Sequence, residues 1–137
     1  MKKNMFHGMR FVLYVLSAFA FSKLAFAAEE TPKTKAVVVS VSDVFVPGGF
    51  DSEADAYVVV NGVFPNGCYR WHKAEVTRTG PLFHNVQSLA SVTQGMCIMV
   101  LVPFTKEVRL GKLDRGTHTL RFTNGDGTYL EKTLRIE

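Results

Sequence analysis

Apolar residues follow two different patterns along this chain. Residues 11–21 (FVLYVLSAFAF) form one nearly continuous apolar block. From Lys35 onward the helical period is gone and apolar and polar residues alternate two by two, the period of a half-buried strand. The sharpest alternation is His118, Leu120 and Phe122 against Thr117, Thr119, Arg121 and Thr123, continued by Leu130, Leu134 and Ile136 against Glu131, Thr133 and Arg135. Asn124-Gly125-Asp126-Gly127 lies between these runs and predicts a tight hairpin, because such residues tolerate positive φ. Further strands are predicted over residues 36–46, 57–64, 69–79 and 107–113. The continuously apolar run 96–102 predicts a central strand covered on both faces. Residues 82–92 also fit a helix face, with Leu82, Val86, Leu89 and Ala90 aligned. Their β-branched, turn-bounded neighbours favour a strand. Turn residues recur at Pro47-Gly48-Gly49, Pro65-Asn66-Gly67, Thr79-Gly80-Pro81, Gly95 and Gly116. Seven or eight short strands with turns at this spacing predict an all-β, antiparallel sandwich.

The apolar block has a separate meaning. Lys2, Lys3 and Arg10 precede it, and Ala25-Phe26-Ala27 follows. A charged start, a short apolar centre and an A-x-A site make a secretory signal peptide over residues 1–27. Eleven residues are too few to cross a bilayer, which takes about 20 in a helix. Residues 28–35 (AEETPKTK) are polar and predict a flexible N-terminal arm. Residues 36–137 remain as one sandwich domain, and no second apolar stretch has membrane-spanning length.

The leader also changes the meaning of the charge. The chain carries 16 Lys and Arg against 12 Asp and Glu. Lys2, Lys3, Arg10 and Lys23 all lie in the leader, so the remainder is formally neutral. A neutral domain has no global field to draw it to nucleic acid, and no nucleic-acid partner is expected. The two cysteines, Cys68 and Cys97, follow the leader. In an exported chain two cysteines predict one disulfide, stabilising by about 3.5 kcal/mol on the loop-entropy estimate.

Three segments carry a resemblance. Phe64-Pro65-Asn66-Gly67-Cys68-Tyr69 resembles an element of small exported bacterial immunoglobulin-like proteins. Gly95-Met96-Cys97 with Leu101-Val102-Pro103-Phe104 resembles their second element. Leu110-Gly111-Lys112-Leu113 with Gly116-Thr117-His118-Thr119-Leu120 resembles the closing one. The resemblance implies an immunoglobulin-like sandwich and says little about activity. It departs from antibody domains, whose paired cysteines lie farther apart with a tryptophan between them. Here Trp71 follows Cys68 by three residues.

Candidate chemistry is sparse. His72, His84 and His118 form no metal-binding or catalytic spacing, and His118 is expected at the core edge with one hydrogen bond to the backbone. Asp51, Glu53 and Asp55 have the spacing of the first calcium ligands of an EF-hand, but the rest of that loop is missing, so a solvated acidic loop is expected. No catalytic residue, metal or cofactor is assigned. Tyr69, Trp71 and Lys73 are expected on one strand face, either in the core or as a stacking platform. Phe50, in a polar loop, is expected either to cap the core or to anchor a partner. Phe50, Tyr69 and Trp71 are thus the candidate partner-binding residues. The chain is read as a periplasmic or secreted, non-enzymatic module that binds a protein or cell-envelope partner through a sheet edge or end loops. The alternatives are a carrier of a small ligand or carbohydrate and a small periplasmic hydrolase. If the leader is a signal peptide, N-terminal sequencing of exported protein reads Ala28-Glu29-Glu30-Thr31. Material still starting at Met1 contradicts it.

Overall fold

The computed structural model describes Thr31 and residues 33–137. The expected leader, its cleavage site and residues 28–30 and 32 of the expected arm lie outside the described residues. Eight strands follow in order: β1 (Thr34–Val39), β2 (Asp43–Phe45), β3 (Ala56–Phe64), β4 (Tyr69–Gly80), β5 (Phe83–Thr93), β6 (Val102–Gly111), β7 (Gly116–Thr123) and β8 (Tyr129–Ile136). They form a β-sandwich of a five-stranded and a three-stranded sheet.

Strand β5 is the axis of the larger sheet. Along one edge it pairs with β4 over almost its full length, from Phe83 to Val92. Its other edge is shared. β7 runs parallel along residues 83–86, and β1 runs antiparallel along residues 88–93. β8 closes the sheet beyond β7 through the predicted hairpin. The parallel β5–β7 ladder departs from an all-antiparallel arrangement. The smaller sheet has the order β2-β3-β6.

Side-chain alternation explains how these strands pack. Val58, Val60, Phe64, Val86, Ala90, Leu120, Phe122, Leu134 and Ile136 all point between the sheets and are buried. Each large side chain removed from water contributes about 1.5–3 kcal/mol. At one end of the core the rings stack, with Phe64 and Phe104 centroids 4.4 Å apart and Trp71 and Phe104 5.6 Å apart. In the hairpin, Gly127 has the positive φ of 87°. Asn124 does more than turn the chain, since its Oδ1 accepts the Val41 backbone N–H at 3.0 Å.

Four expectations need correction. The valine-rich run 36–46 is two strands in different sheets. Between them the Ser42 N–H turns to the Asn61 carbonyl, 2.8 Å away, and this carries the chain across. β1 begins at Thr34, so Thr34 and Lys35 belong to the sheet and not to the arm. Lys73 does not share a face with Tyr69 and Trp71. A bulge between Trp71 and Lys73 leaves His72 unpaired and reverses the alternation, so Ala74 packs on the core. Such bulges re-aim side chains along a strand. The largest correction is the apolar run 96–102. Residues 96–101 are not a strand, and β6 starts only at Val102.

Gly62 has a specific reason to lack a side chain. The Phe104 ring of the neighbouring strand lies over its Cα, and a Cβ there would meet Phe104 Cζ and Cε1 as well as the Ser40 carbonyl. Glycine in a strand commonly marks such a close approach. Gly62→Ala therefore forces the aromatic cluster apart. It is expected to lower the unfolding free energy by about 1–3 kcal/mol, measured by chemical denaturation, and an unchanged midpoint contradicts this.

Candidate functional site

The segment that breaks the packing rule is the crossover from β5 to β6. Gly95, at φ 142°, ends the β5 extension, and the chain then passes from one sheet to the other. Because it belongs to neither ladder, its apolar side chains have nothing above them. Met96 is fully exposed at 104%, Met99 is 80% exposed, and Ile98 and Leu101 are each 73% exposed. Isolated exposed apolar residues are normal, whereas large contiguous exposed apolar patches are commonly found at interaction sites, which makes this segment the candidate.

The crossover is held at its base. Cys97 is disulfide-bonded to Cys68, the residue preceding β4, with Cα atoms 5.3 Å apart. One residue earlier, the Gly67 N–H donates to the Ile98 carbonyl at 2.9 Å. The Cys68 N–H in turn donates to Asn66 Oδ1 at 2.9 Å, shaping the β3–β4 turn beneath. The loop is thus fixed in place at its base.

Beside the loop, the outer edges of β4 and β6 run close together. Among the described residues β4 pairs only with β5, and β6 only with β3. An open groove of about 480 Å³ runs between them, lined by Phe64, Arg70, Trp71, Pro103, Phe104, Thr105 and Lys106. Tyr69 and Trp71 are half-buried against the core, so each presents part of its ring toward this end. Phe50 lies at the opposite end. It is half-buried, its ring meets Tyr57 edge-on at 5.4 Å, and its carbonyl accepts the Glu137 N–H at 2.9 Å. The structure therefore groups Cys68, Cys97, Tyr69 and Trp71 and leaves Phe50 apart.

Asp51 uses its carboxylate locally, accepting the N–H groups of Glu53 at 3.0 Å and Ala54 at 2.9 Å. Among the described residues no three His, Cys, Asp or Glu side chains converge as metal ligands.

Sequence reading missed one constellation, a buried histidine pair. His84 and His118 are 2% and 0% exposed. His84 Nε2 lies 2.8 Å from His118 Nδ1, and His118 Nε2 lies 2.6 Å from the Asp114 carbonyl. A carbonyl only accepts, so His118 Nε2 carries a hydrogen. Between two neutral imidazoles its Nδ1 then accepts from the His84 Nε2–H, which sets both tautomers. The backbone bond is the one expected of His118. The partner was hidden because His84 sits 34 positions earlier in sequence and meets it only through the parallel β5–β7 ladder. Burial, then the neighbouring His118, then Arg78 hold the His84 pKa below its ordinary 6.5.

The fold and these features define a disulfide-pinned β-sandwich with an exposed apolar crossover. Residues 58–136 match the ORF11 beta-sandwich domain, and the chain belongs to that family. The match runs from within β3 to the end of β8. It takes in both cysteines, the crossover and both buried histidines. Comparison with curated proteins and with solved structures gave no match.

The histidine pair makes stability depend on pH. The unfolded chain takes up the His84 proton near the ordinary pKa of 6.5, before the folded protein does. The stabilisation is therefore complete above that pH and is lost as pH falls from there through the lowered folded value. Unfolding free energies measured from about pH 7 to pH 5 are expected to fall, and His84→Gln, which keeps a donor but does not titrate, to flatten the slope. An equal slope in both proteins contradicts the assignment.

Proposed function

We propose that this protein is an exported, non-enzymatic binding module of the cell envelope, and that its docking surface is the sandwich end carrying the β5–β6 crossover. The observation behind this is the exposed apolar group Met96, Ile98, Met99 and Leu101 on a disulfide-fixed base. A stably held loop gains little by exposing these side chains to water unless something else covers them. The adjacent groove and the unpaired edges of β4 and β6 extend the same surface, and an open edge is a template for an added strand. Tyr69 and Trp71 lie behind the loop and supply the aromatic element of the surface. The disulfide suits an oxidising compartment, in agreement with the signal-like leader. Membership among small exported bacterial immunoglobulin-like proteins rests on the three sequence motifs alone.

The test compares binding to envelope preparations. Ile98→Asp combined with Leu101→Asp is expected to weaken retention by about 1–4 kcal/mol, the usual range for buried anchors, with a nearly unchanged melting temperature. Phe50→Ala, at the opposite end, is expected to lower the melting temperature and spare retention. Retention that survives the loop substitutions and fails with Phe50→Ala places the docking surface at the wrong end.

A further inference from the structure

Charge is distributed unevenly around the apolar crossover. Lys33 and Lys35 stand at the start of β1 next to it, where the Gln94 N–H donates to the Lys33 carbonyl at 3.1 Å and Lys35 pairs with Val92. Arg70 on β4 and Lys106 on β6 flank the groove below the loop. All four are exposed, and none is in an ion pair with a described residue. The segments that build this end, residues 31–38, 62–74 and 88–106, contain no Asp or Glu. The described carboxylates lie elsewhere, and Glu29 and Glu30, which precede Lys33 in sequence, lie outside the described residues.

From this layout we infer that the crossover is a lipid-insertion loop, which docks the domain on the surface of a bilayer containing anionic phospholipid. This rests on the docking surface proposed above and names its partner. The tip bears only exposed apolar side chains, apart from the cysteine held in the disulfide, so it matches a hydrocarbon boundary. Behind the tip stand cations that meet phosphate groups when the apolar side chains are immersed. Tyr69 and Trp71 are half-buried at the same end, and such rings favour the headgroup layer. The disulfide and the Gly67–Ile98 hydrogen bond fix the tip in advance, so insertion does not have to order it. No helix among the described residues is long and apolar enough to cross a membrane, and the contact inferred is peripheral.

Sedimentation with lipid vesicles tests this. The protein is recovered after export, with its N-terminus sequenced so that wild type and variants are compared at the same start. This cancels any lipid binding by residues 11–21. Wild type is expected to co-sediment with vesicles of phosphatidylcholine mixed with phosphatidylglycerol, and to be released by salt. Ile98→Asp with Leu101→Asp is expected to weaken this about tenfold or more. Lys35→Glu with Lys106→Glu is expected to abolish the preference over pure phosphatidylcholine while the melting temperature holds. Equal sedimentation of wild type and tip variant overturns the inference, as does wild type that ignores anionic vesicles. If wild type ignores vesicles yet still binds an envelope protein through the tip, the lipid inference falls and the docking-surface reading stands. A tip variant that matches wild type in both assays overturns both.

Discussion

Everything in the larger sheet depends on β5 being hydrogen-bonded along both edges. One edge is filled by β4 alone, and the other is divided between β7 and β1. The division fixes the remaining topology. Because β7 takes the first part of that edge and runs parallel, β8 must lie outside it. Because β1 takes the last part, the chain leaves β1 near Asn124, whose side chain receives the Val41 N–H. From there it crosses to the smaller sheet as β2. The core faces then follow from strand alternation, and a slip of one residue would turn His84, Val86, Ser88 and Ala90 outward together.

Local pattern made the sandwich legible, and long-range pairing made the rest illegible. The β7–β8 hairpin stood out because its alternation and turn residues agree within about twenty positions. Phe83–Thr93 is a strand despite its helix-compatible spacing, since β4, β1 and β7 offer it partners on both edges. The crossover was misread for a physical reason. A continuous apolar run signals a strand covered on both faces only if it lies within a sheet, and residues 96–101 pass between sheets. Gly95 ends the β5 extension just before the run, and the Cys97 linkage ties it to the residue preceding β4 and not to a neighbouring ladder. The bulge at His72 and the histidine pair had no sequence signal, because one is a ladder irregularity and the other a product of parallel register. Of the candidate site, the disulfide and the Tyr69–Trp71 stretch were in view, while the exposed loop was hidden among the expected core residues.

The histidine pair and the crossover break the ordinary division of apolar inside and polar outside in opposite directions, and the buried Ser88 hydroxyl, which has no hydrogen-bond partner among the described residues, is a smaller departure of the first kind. The histidines are polar groups brought inside, and they are tolerable there because a one-way chain of hydrogen bonds, from His84 through His118 to the Asp114 carbonyl, satisfies them. The crossover is an apolar group held outside, and no internal contact compensates it. Departures from the packing rules that are not compensated locally are commonly found at functional positions. That difference is why the loop, and not the histidine pair, is taken as the working surface.

The position of the disulfide also bears on how the chain reaches this structure. Cys68 and Cys97 stand just outside the two ends of the β4–β5 hairpin, so oxidation turns that hairpin into a covalent ring. All residues of the ring lie within 30 consecutive positions, whereas β1 and β7 must find β5 from farther along the chain. Loop-closure entropy therefore favours β4–β5 as the first pair to form. Once the ring is closed, the open ends of β4 and β5 stay tethered, and the pairing re-forms readily whenever it opens. Its free edge then serves as a lasting template to which β1 and β7 add, and the disulfide acts as a kinetic clamp on the pairing that every later step requires.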